Sequence, residues 1–323
     1  MKYSESEIRQ YVMEEDVKFL RMTFFDLAGK QKNMSILPDA LDRAFSTGIA
    51  FDASAIPGFG DELHSDLFLQ PDTSTLCLLP WRPDHGRVAR LFCRVLHSDG
   101  TPFEGDGRAL LQKAVDDAAA MGISFAFGSE MEFYLFRRDE SGEPTKIPYD
   151  RAGYMDIAPE DKGENVRREI CLTLEQMDIR PECSHHEQGP GQNEIDFRYA
   201  DPVKAADDAV TFRTVVHTVA VRNGLAADFS PKPLRSEPGN GMHINISARS
   251  ASGEDIMPQV IAGLLSHVGE MTAFLNTLPA SYQRFGSYKA PRYISWSSEN
   301  RSQLIRIPAA EGEYRRAELR SPD

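Results

Sequence analysis

Between His185 and Phe197 the sequence reads HHEQGPGQNEIDF, and the Gly189-Pro190-Gly191 at its centre leaves the backbone few options. Glycine, proline and glycine in succession are a strong turn signal. The turn folds one strand back on the other, and Glu187 and Glu194, which flank it, come to the same end of a hairpin. A polar hairpin tip without function is the plain alternative. The density of carboxylate, imidazole and amide groups here, with His185 and His186 just ahead, favours function.

Three other short segments carry the same chemistry, and each reads as a strand or a tight turn. Glu130 and Glu132 in GSEMEF stand two apart on an apolar stretch, so the period of a strand puts both on one face. Taken alone, an E-x-E is better explained by a solvated strand face, because the pattern is common. His243, Asn245 and Ser247 alternate in GNGMHINIS, after Gly239 and Gly241, whose missing side chains permit close approach of a ligand. A lone strand histidine is more often a satisfied core residue, but its polar neighbours on the same face shift that balance. Glu318 in RRAELRSPD shares a face with Arg320, an arrangement that a structural ion pair would also explain. Asp52 in FDAS is an outlying further carboxylate.

An acid-rich set with one imidazole suits hard divalent cations such as Mg²⁺ or Mn²⁺. A zinc site would call for thiolates or several histidines. Arg301, Arg306, Arg315, Arg316 and Arg320 crowd the end of the chain, and arginines beside metal-holding carboxylates point to chemistry on a nucleotide. Arg301 and Arg306 are five apart, so a regular strand sends them to opposite faces, and they meet one ligand only if the strand bends.

The chain has 323 residues, 41% hydrophobic and 26% charged, which allows two soluble domains. The net charge of −13 argues against nucleic acid or an anionic membrane as partner, because both require a basic face. Cys77, Cys93, Cys171 and Cys183 are scattered without a CxxC pair, which fits reduced thiols in the cytosol. The acidic start MKYSESEIRQYVMEED has no apolar core of a signal peptide, and no apolar run is long enough to span a bilayer.

Ser4-x-x-Glu7 predicts a capped helix to about Glu15, and alternation predicts strands over 17–25 and 87–96. Pro38 starts a second short helix, and 50–86 reads as loops with short strands. The first hundred residues thus form a small β-rich domain with two helices. Beyond them, helices are expected near 107–121, 160–177, 202–223 and 256–277. Strands are expected near 123–136, 180–187, 192–199, 225–230, 241–248, 292–297 and 303–307. Strands outnumber helices and arrive in pairs, so the fold class is α+β rather than a doubly wound sheet.

The segments GSEMEFYLF, HHEQGPGQNEIDFRY, GNGMHINIS, APRYISWSSENRSQLIRIP and RRAELRSPD, in this order, resemble the catalytic domain of type I glutamine synthetase. FDASAIPGFG resembles that family's FDGSSI segment. The resemblance covers essentially the whole chain and is strongest from Gly128 to Asp323. It implies an N-terminal β-grasp domain over 1–100 and a catalytic domain over 101–323, whose antiparallel strands form a funnel with helices outside. It further implies ATP-dependent ligation of ammonia to L-glutamate through γ-glutamyl phosphate, giving glutamine. The implied assembly is a cytoplasmic homo-oligomer of two hexameric rings, with each site at a subunit boundary.

Carried over by motif, Glu132, Glu187 and Glu194 would hold one Mg²⁺ or Mn²⁺, and Glu130, His243 and Glu318 another. Glu182, Asn245, Ser247 and Arg316 would contact ATP, with Tyr199 stacking on adenine. Gly239 and Arg284 would bind glutamate, with Arg320 at its carboxylate. Arg301 and Arg306 would hold the transferring phosphate. Asp52 would reach into a neighbouring subunit's site and help take a proton from ammonium.

The chain also departs from the family. Lys289 in SYKAPRY stands where the family has a glutamate that shields the intermediate and helps bind ammonium, and this flap is one residue shorter. A charged lysine repels ammonium and accepts no proton. Pro238 replaces a polar residue beside the glutamate site, and Ala55 replaces a serine of FDGSS. Family members continue past RSPD with helices that cover the catalytic domain, so the catalytic domain is read as incomplete at its C-terminal end. Three readings stand open: the ammonia ligase, a ligase joining glutamate to another amine, and a non-catalytic ring subunit.

Overall fold

The computed structural model describes residues 3–82, 84–310, 312 and 315–323, and the chain divides into two compact units, Met1–Asp116 and Asp117–Asp323. In the first unit Ser4 caps helix α1 (Glu5–Glu14) in a capping box, with Glu7 Oε2 accepting from the Ser4 N–H at 2.7 Å. Ile8 and Val12, one turn apart, form the buried stripe of this helix. Strands β1 (Val17–Phe25) and β2 (Gln31–Ile36) follow, then helix α2 (Leu41–Ser46), which a 3-10 turn at Pro38 introduces. Strands β3 (Ile49–Asp52), β4 (Asp66–Pro71), β5 (Cys77–Leu78) and β6 (Arg87–Leu96) complete a sheet of order β2-β1-β6-β4-β3, with β5 on β6. Leu20, Met22 and Phe24 are buried as alternation predicts, and Leu69 and Leu91 join them in one core. Thr23, on the opposite face, is buried too, and stands opposite Phe92 in β6, which runs parallel to β1. Helix α3 (Gly107–Ala120) runs across the unit boundary.

The second unit is organised by β7 (Ile123–Arg138), a long strand that several neighbours share. After it come β8 (Pro144–Pro148), α4 (Glu164–Gln176), β9 (Pro181–His186), β10 (Gln192–Phe197), α5 (Pro202–Arg222), β11 (Leu225–Asp228) and β12 (Met242–Ser250). The chain ends with α6 (Met257–Leu275), α7 (Pro279–Arg284), β13 (Trp296–Ser298), β14 (Ile305–Ile307) and β15 (Ala317–Leu319). The sheet order is β13-β14-β15-β12-β7-β10-β9, with β8 and β11 also on β7. Every pairing is antiparallel except β13 with β14.

One face of this sheet is apolar and carries the helices. Phe133 of β7 and Phe197 of β10 both pack on Phe212 of α5, with ring centroids 6.1 and 5.6 Å apart. Ile246, Ile305, Ala317 and Leu319 pack with Met257 and Val268 of α6. Each large side chain so buried contributes roughly 1.5–3 kcal/mol, and alternation sends the intervening residues to the other face. No helix among the described residues is long and apolar enough to cross a membrane. Strand β8 and helix α7 lie outside the expected elements, and the Glu318 segment is the three-residue strand β15.

Candidate functional site

Strand register builds the polar face in rows. Glu194 stands directly opposite Glu132 of β7 on one side and His185 of β9 on the other. Two residues along, Glu130 stands between Asp196 of β10 and His243 of β12, and Cys183 lies beyond Asp196. A third row runs from Gly128 through Asn245 and Glu318 to Arg306 of β14. Residues distant in sequence thus become cross-strand neighbours within side-chain reach.

The contacts follow these rows. His243 Nδ1 lies 3.3 Å from Glu130 and 3.6 Å from Glu318, and Asn245 Nδ2 donates to Glu130 at 2.8 Å. His185 Nε2 lies 3.1 Å from Glu187 and 3.6 Å from Glu194. Glu132 accepts from the Gly241 N–H at 2.9 Å and from Gln192 at 3.3 Å. Glu318, 0% exposed, is ion-paired with both Arg306 and Arg320.

The ligand groups meet in a different partition from the one the resemblance implies. Donor atoms of Glu130, Glu194 and His243 lie within 4.8 Å of one another, as do those of His185, Glu187 and Glu194. Glu194 therefore belongs to both groups, because β10 lies between β9 and β7. The Glu132 carboxylate is turned to the Gly241 N–H, and Glu318 is held by two guanidinium groups. Arg306 sits on Glu318 as its pair. Arg301 lies in the turn before β14, outside the strand, so strand alternation does not relate it to Arg306.

Burial and mutual repulsion shape the charges. Burial, then the neighbouring Glu132, Asp196 and Glu187, push the Glu194 carboxyl well above its ordinary value. Burial raises Glu132 as well, and Glu187 adds to it. Burial and the charge of Glu130 lift Asp196 to about 6. Burial also works against ionised Glu130, but His243, Asn245 and Arg320 outweigh it and bring that carboxyl down to about 2. Burial and mutual repulsion thus make ionised carboxylates costly at Glu132, Glu194 and Asp196, a cost that positive charge nearby would relieve. Oxygen donors with one imidazole, converging in this way, fit a hard divalent cation.

Two cavities open on this face. One, of about 240 Å³, is lined by Glu130, Glu132, Glu187, Glu194 and His243 together with Gly239, Arg284, Arg301, Arg320 and Lys289. The other, of about 630 Å³, is lined by Glu182, Tyr199, Asn245, Ser247 and Arg316. Glu130 lines both. Arg306 is among the lining residues of neither. Arg284 is buried, and its guanidinium donates to the carbonyls of Ser321 and Arg320 at 2.9 and 3.2 Å. Asp52 lies in the first unit, where its carboxylate accepts from the Ser54 N–H at 3.0 Å and caps a 3-10 turn. Sequence reasoning missed Asp196 and Cys183, which line the larger cavity, and Tyr154 and Gln192, which line the smaller. The strand period that paired Glu130 with Glu132 would have placed Asp196 beside Glu194.

Comparison with known proteins bears on the family and the fold. Residues 16–98 match the family model "Glutamine synthetase, beta-Grasp domain" and residues 104–323 match "Glutamine synthetase, catalytic domain". The chain is 44% identical to a glutamine synthetase of Clostridium saccharobutylicum, covering 100% of this chain and 76% of that one. It is 43% identical to a glutamine synthetase of Staphylococcus aureus, over 99% of this chain and 75% of the other. Among solved structures, the cryo-EM structure of Plasmodium falciparum glutamine synthetase shares the fold, with a TM-score of 0.91 at 23% identity, over 100% of this chain and 72% of that one. A GmaS/ADP complex superposes with a TM-score of 0.86 at 29% identity, over 98% of this chain and 76% of that chain. Matched by both domain models and by relatives along its whole length, this chain belongs to the glutamine synthetase family.

Proposed function

We propose that this chain ligates ammonia to L-glutamate in an ATP-dependent reaction that yields glutamine. The observation that carries this reading is the pair of adjoining cavities, one acidic and arginine-lined, the other sized for a nucleotide, with Glu130 lining both. Tyr199 offers its exposed ring to adenine, and Glu182, Asn245, Ser247 and Arg316 line the rest of that cavity. Gly239, Arg284 and Arg320 receive glutamate, and Arg301 steadies the phosphate in transfer. The γ-carboxylate of glutamate attacks the terminal phosphorus of ATP, and ADP leaves. Ammonia then attacks the acyl carbon and inorganic phosphate leaves. Carboxylate is a poor acylating agent, and phosphorylation supplies the leaving group.

Glu130, Glu132, Glu187, Glu194, His243 and Glu318 would hold Mg²⁺ or Mn²⁺. Such ions neutralise charge that develops on a phosphoryl group. Glu318 already lies between Arg306 and Arg320, so this acid and the two arginines act as one unit. We further propose that Asp52 serves a neighbouring copy's site within a double hexameric ring, that the enzyme is cytoplasmic, and that the domain boundary lies near residue 100.

A second reading, a larger amine as nucleophile, is favoured by Lys289. Its Nζ lies 5.8 Å from the Tyr154 ring centroid and it lines the acidic cavity, where a fixed cation discourages ammonium. Phosphate release with Mg²⁺, ATP and glutamate, compared across ammonia, hydroxylamine and a panel of amines, separates the two. Turnover with ammonia supports the first reading, and turnover with another amine alone supports the second. No turnover from a folded chain that binds Mg²⁺-ATP contradicts both.

A further inference from the structure

Beneath the acidic hairpin lies a buried polar network outside the ligand set. His186 pairs with Asn193 in the β9–β10 register, so both point to the face opposite His185 and Glu194. His186 is 0% exposed. Its Nδ1 donates to the Glu187 carbonyl at 2.7 Å and its Nε2 donates to Asp150 Oδ1 at 2.9 Å. Neither acceptor, with Asp150 ionised, carries a hydrogen, so both ring nitrogens donate.

Asp150 reaches the far side of the same turn. Its Oδ1 accepts from the Gly191 N–H and its Oδ2 from the Lys162 N–H, both at 3.0 Å. The Gly191 carbonyl accepts from Asn193 Nδ2 at 3.0 Å, and Asn193 Oδ1 accepts from Arg167 at 2.6 Å. The turn is thus gripped at Glu187 and at Gly191, the two ends between which its direction is decided. Gly191 has φ +70°, and a Cβ there would stand 2.8 Å from the Leu135 carbonyl oxygen, so the turn closes tightly against β7.

Asp150, Asp161 and His186 lie close enough together to pass for a cation site. The carboxylate oxygens there are already occupied: Asp161 accepts from the Gly163 N–H and from Arg167, and Asp150 from three donors. The cluster is scaffold rather than a further cation site.

We propose that His186 and Asp150 are positioning residues for this reaction, fixing the 187–191 turn so that the carboxylates of Glu187 and Glu194 converge on their cation. The proposal rests on the reading that these two glutamates hold metal. Groups that orient metal ligands typically change metal affinity 10–100-fold when removed. His186→Ala therefore weakens Mn²⁺ binding, followed by EPR without nucleotide, by at least roughly tenfold. The maximal rate at saturating Mn²⁺ falls much less. His186→Gln, whose amide can still donate to Asp150, recovers part of the affinity. Val216→Ala, in the helix core away from the turn, serves as the stability control, lowering Tm and leaving Mn²⁺ affinity unchanged.

A His186→Ala protein that binds Mn²⁺ as tightly as the parent overturns the positioning role and leaves the ligand assignment standing. Where His186→Ala does not fold, a folded His186→Leu, which fills the site without either hydrogen bond, replaces it, and parental Mn²⁺ affinity in that variant overturns the positioning role as well. A parent that binds no Mn²⁺ overturns the ligand assignment and the positioning role together.

Discussion

Asp196→Asn isolates the electrostatic strain that the site carries without metal. Asp196 faces Glu130 across β10 and β7, and burial together with that charge lifts its carboxyl from 3.8 to about 6. The folded chain holds this proton more tightly than the unfolded chain does. Between about pH 4 and pH 6 the folded state therefore binds more protons, and stability falls as pH rises. The cost is absent below the unfolded value and complete above the folded one. The rise from 3.8 to about 6 corresponds to roughly 3 kcal/mol, and because Glu130 shares the repulsion this figure is a ceiling. An amide in this place carries no charge and donates toward the carboxylates around it. Urea unfolding of EDTA-treated protein at about pH 8 should show the variant more stable by as much as roughly 3 kcal/mol, with the gain gone near pH 4. Added Mn²⁺ should narrow the gap by supplying the missing positive charge. A variant no more stable than the parent at the higher pH, or equally shifted at both, would mean that Asp196 carries no such repulsion.

Other expectations follow from single residues. Tyr199→Ala removes a half-exposed ring from the larger cavity, and base stacking of roughly 1–3 kcal/mol predicts a KM for ATP about tenfold higher, with kcat little changed, in initial-rate kinetics. Gly239→Ala places a Cβ 2.3 Å from the Pro231 carbonyl oxygen and 3.0 Å from Arg284 Cγ, so urea unfolding should show a loss of about 1–3 kcal/mol and glutamate saturation should weaken. In the first unit, burial pushes the Asp72 carboxyl up, but hydrogen bonds from Ser74 and the charge of Arg108 outweigh it and hold the group below its ordinary value. Its stabilisation is present above the unfolded value and lost as pH falls through the folded one, so Asp72→Asn should flatten the acid side of the thermal stability profile.

Much of the architecture was legible because local chemistry fixed it. The capping box at Ser4 and Glu7, the alternation over 17–25 and 87–96, and the Gly-Pro-Gly hairpin each constrain only a few neighbouring residues, and each appears in the structure. The acids of the E-x-E segment fall on one face for the same reason. Register was not legible, because it depends on which strands meet. Nothing near Glu194 announces that it will face Glu132, or that Glu130 will face His243. Strand β15 has three residues, too few for alternation to register, yet it delivers Glu318 into the arginines. Arg306 illustrates the same limit: its residue type fits phosphate binding, and only the pairing of β14 with β15 assigns it to Glu318. His186 and Asp150 stand 36 positions apart, and their contact exists only once the hairpin has folded onto its support.

In the proposed reaction, phosphate passes to the γ-carboxylate of glutamate before the amine arrives. Glutamate labelled with ¹⁸O in that carboxylate tests it directly, by mass spectrometry of the phosphate released with ATP, Mg²⁺ and ammonia. Attack by the carboxylate predicts one ¹⁸O in each phosphate. Phosphate that carries no label, released at a rate indifferent to glutamate, would rule out an acyl phosphate on the path.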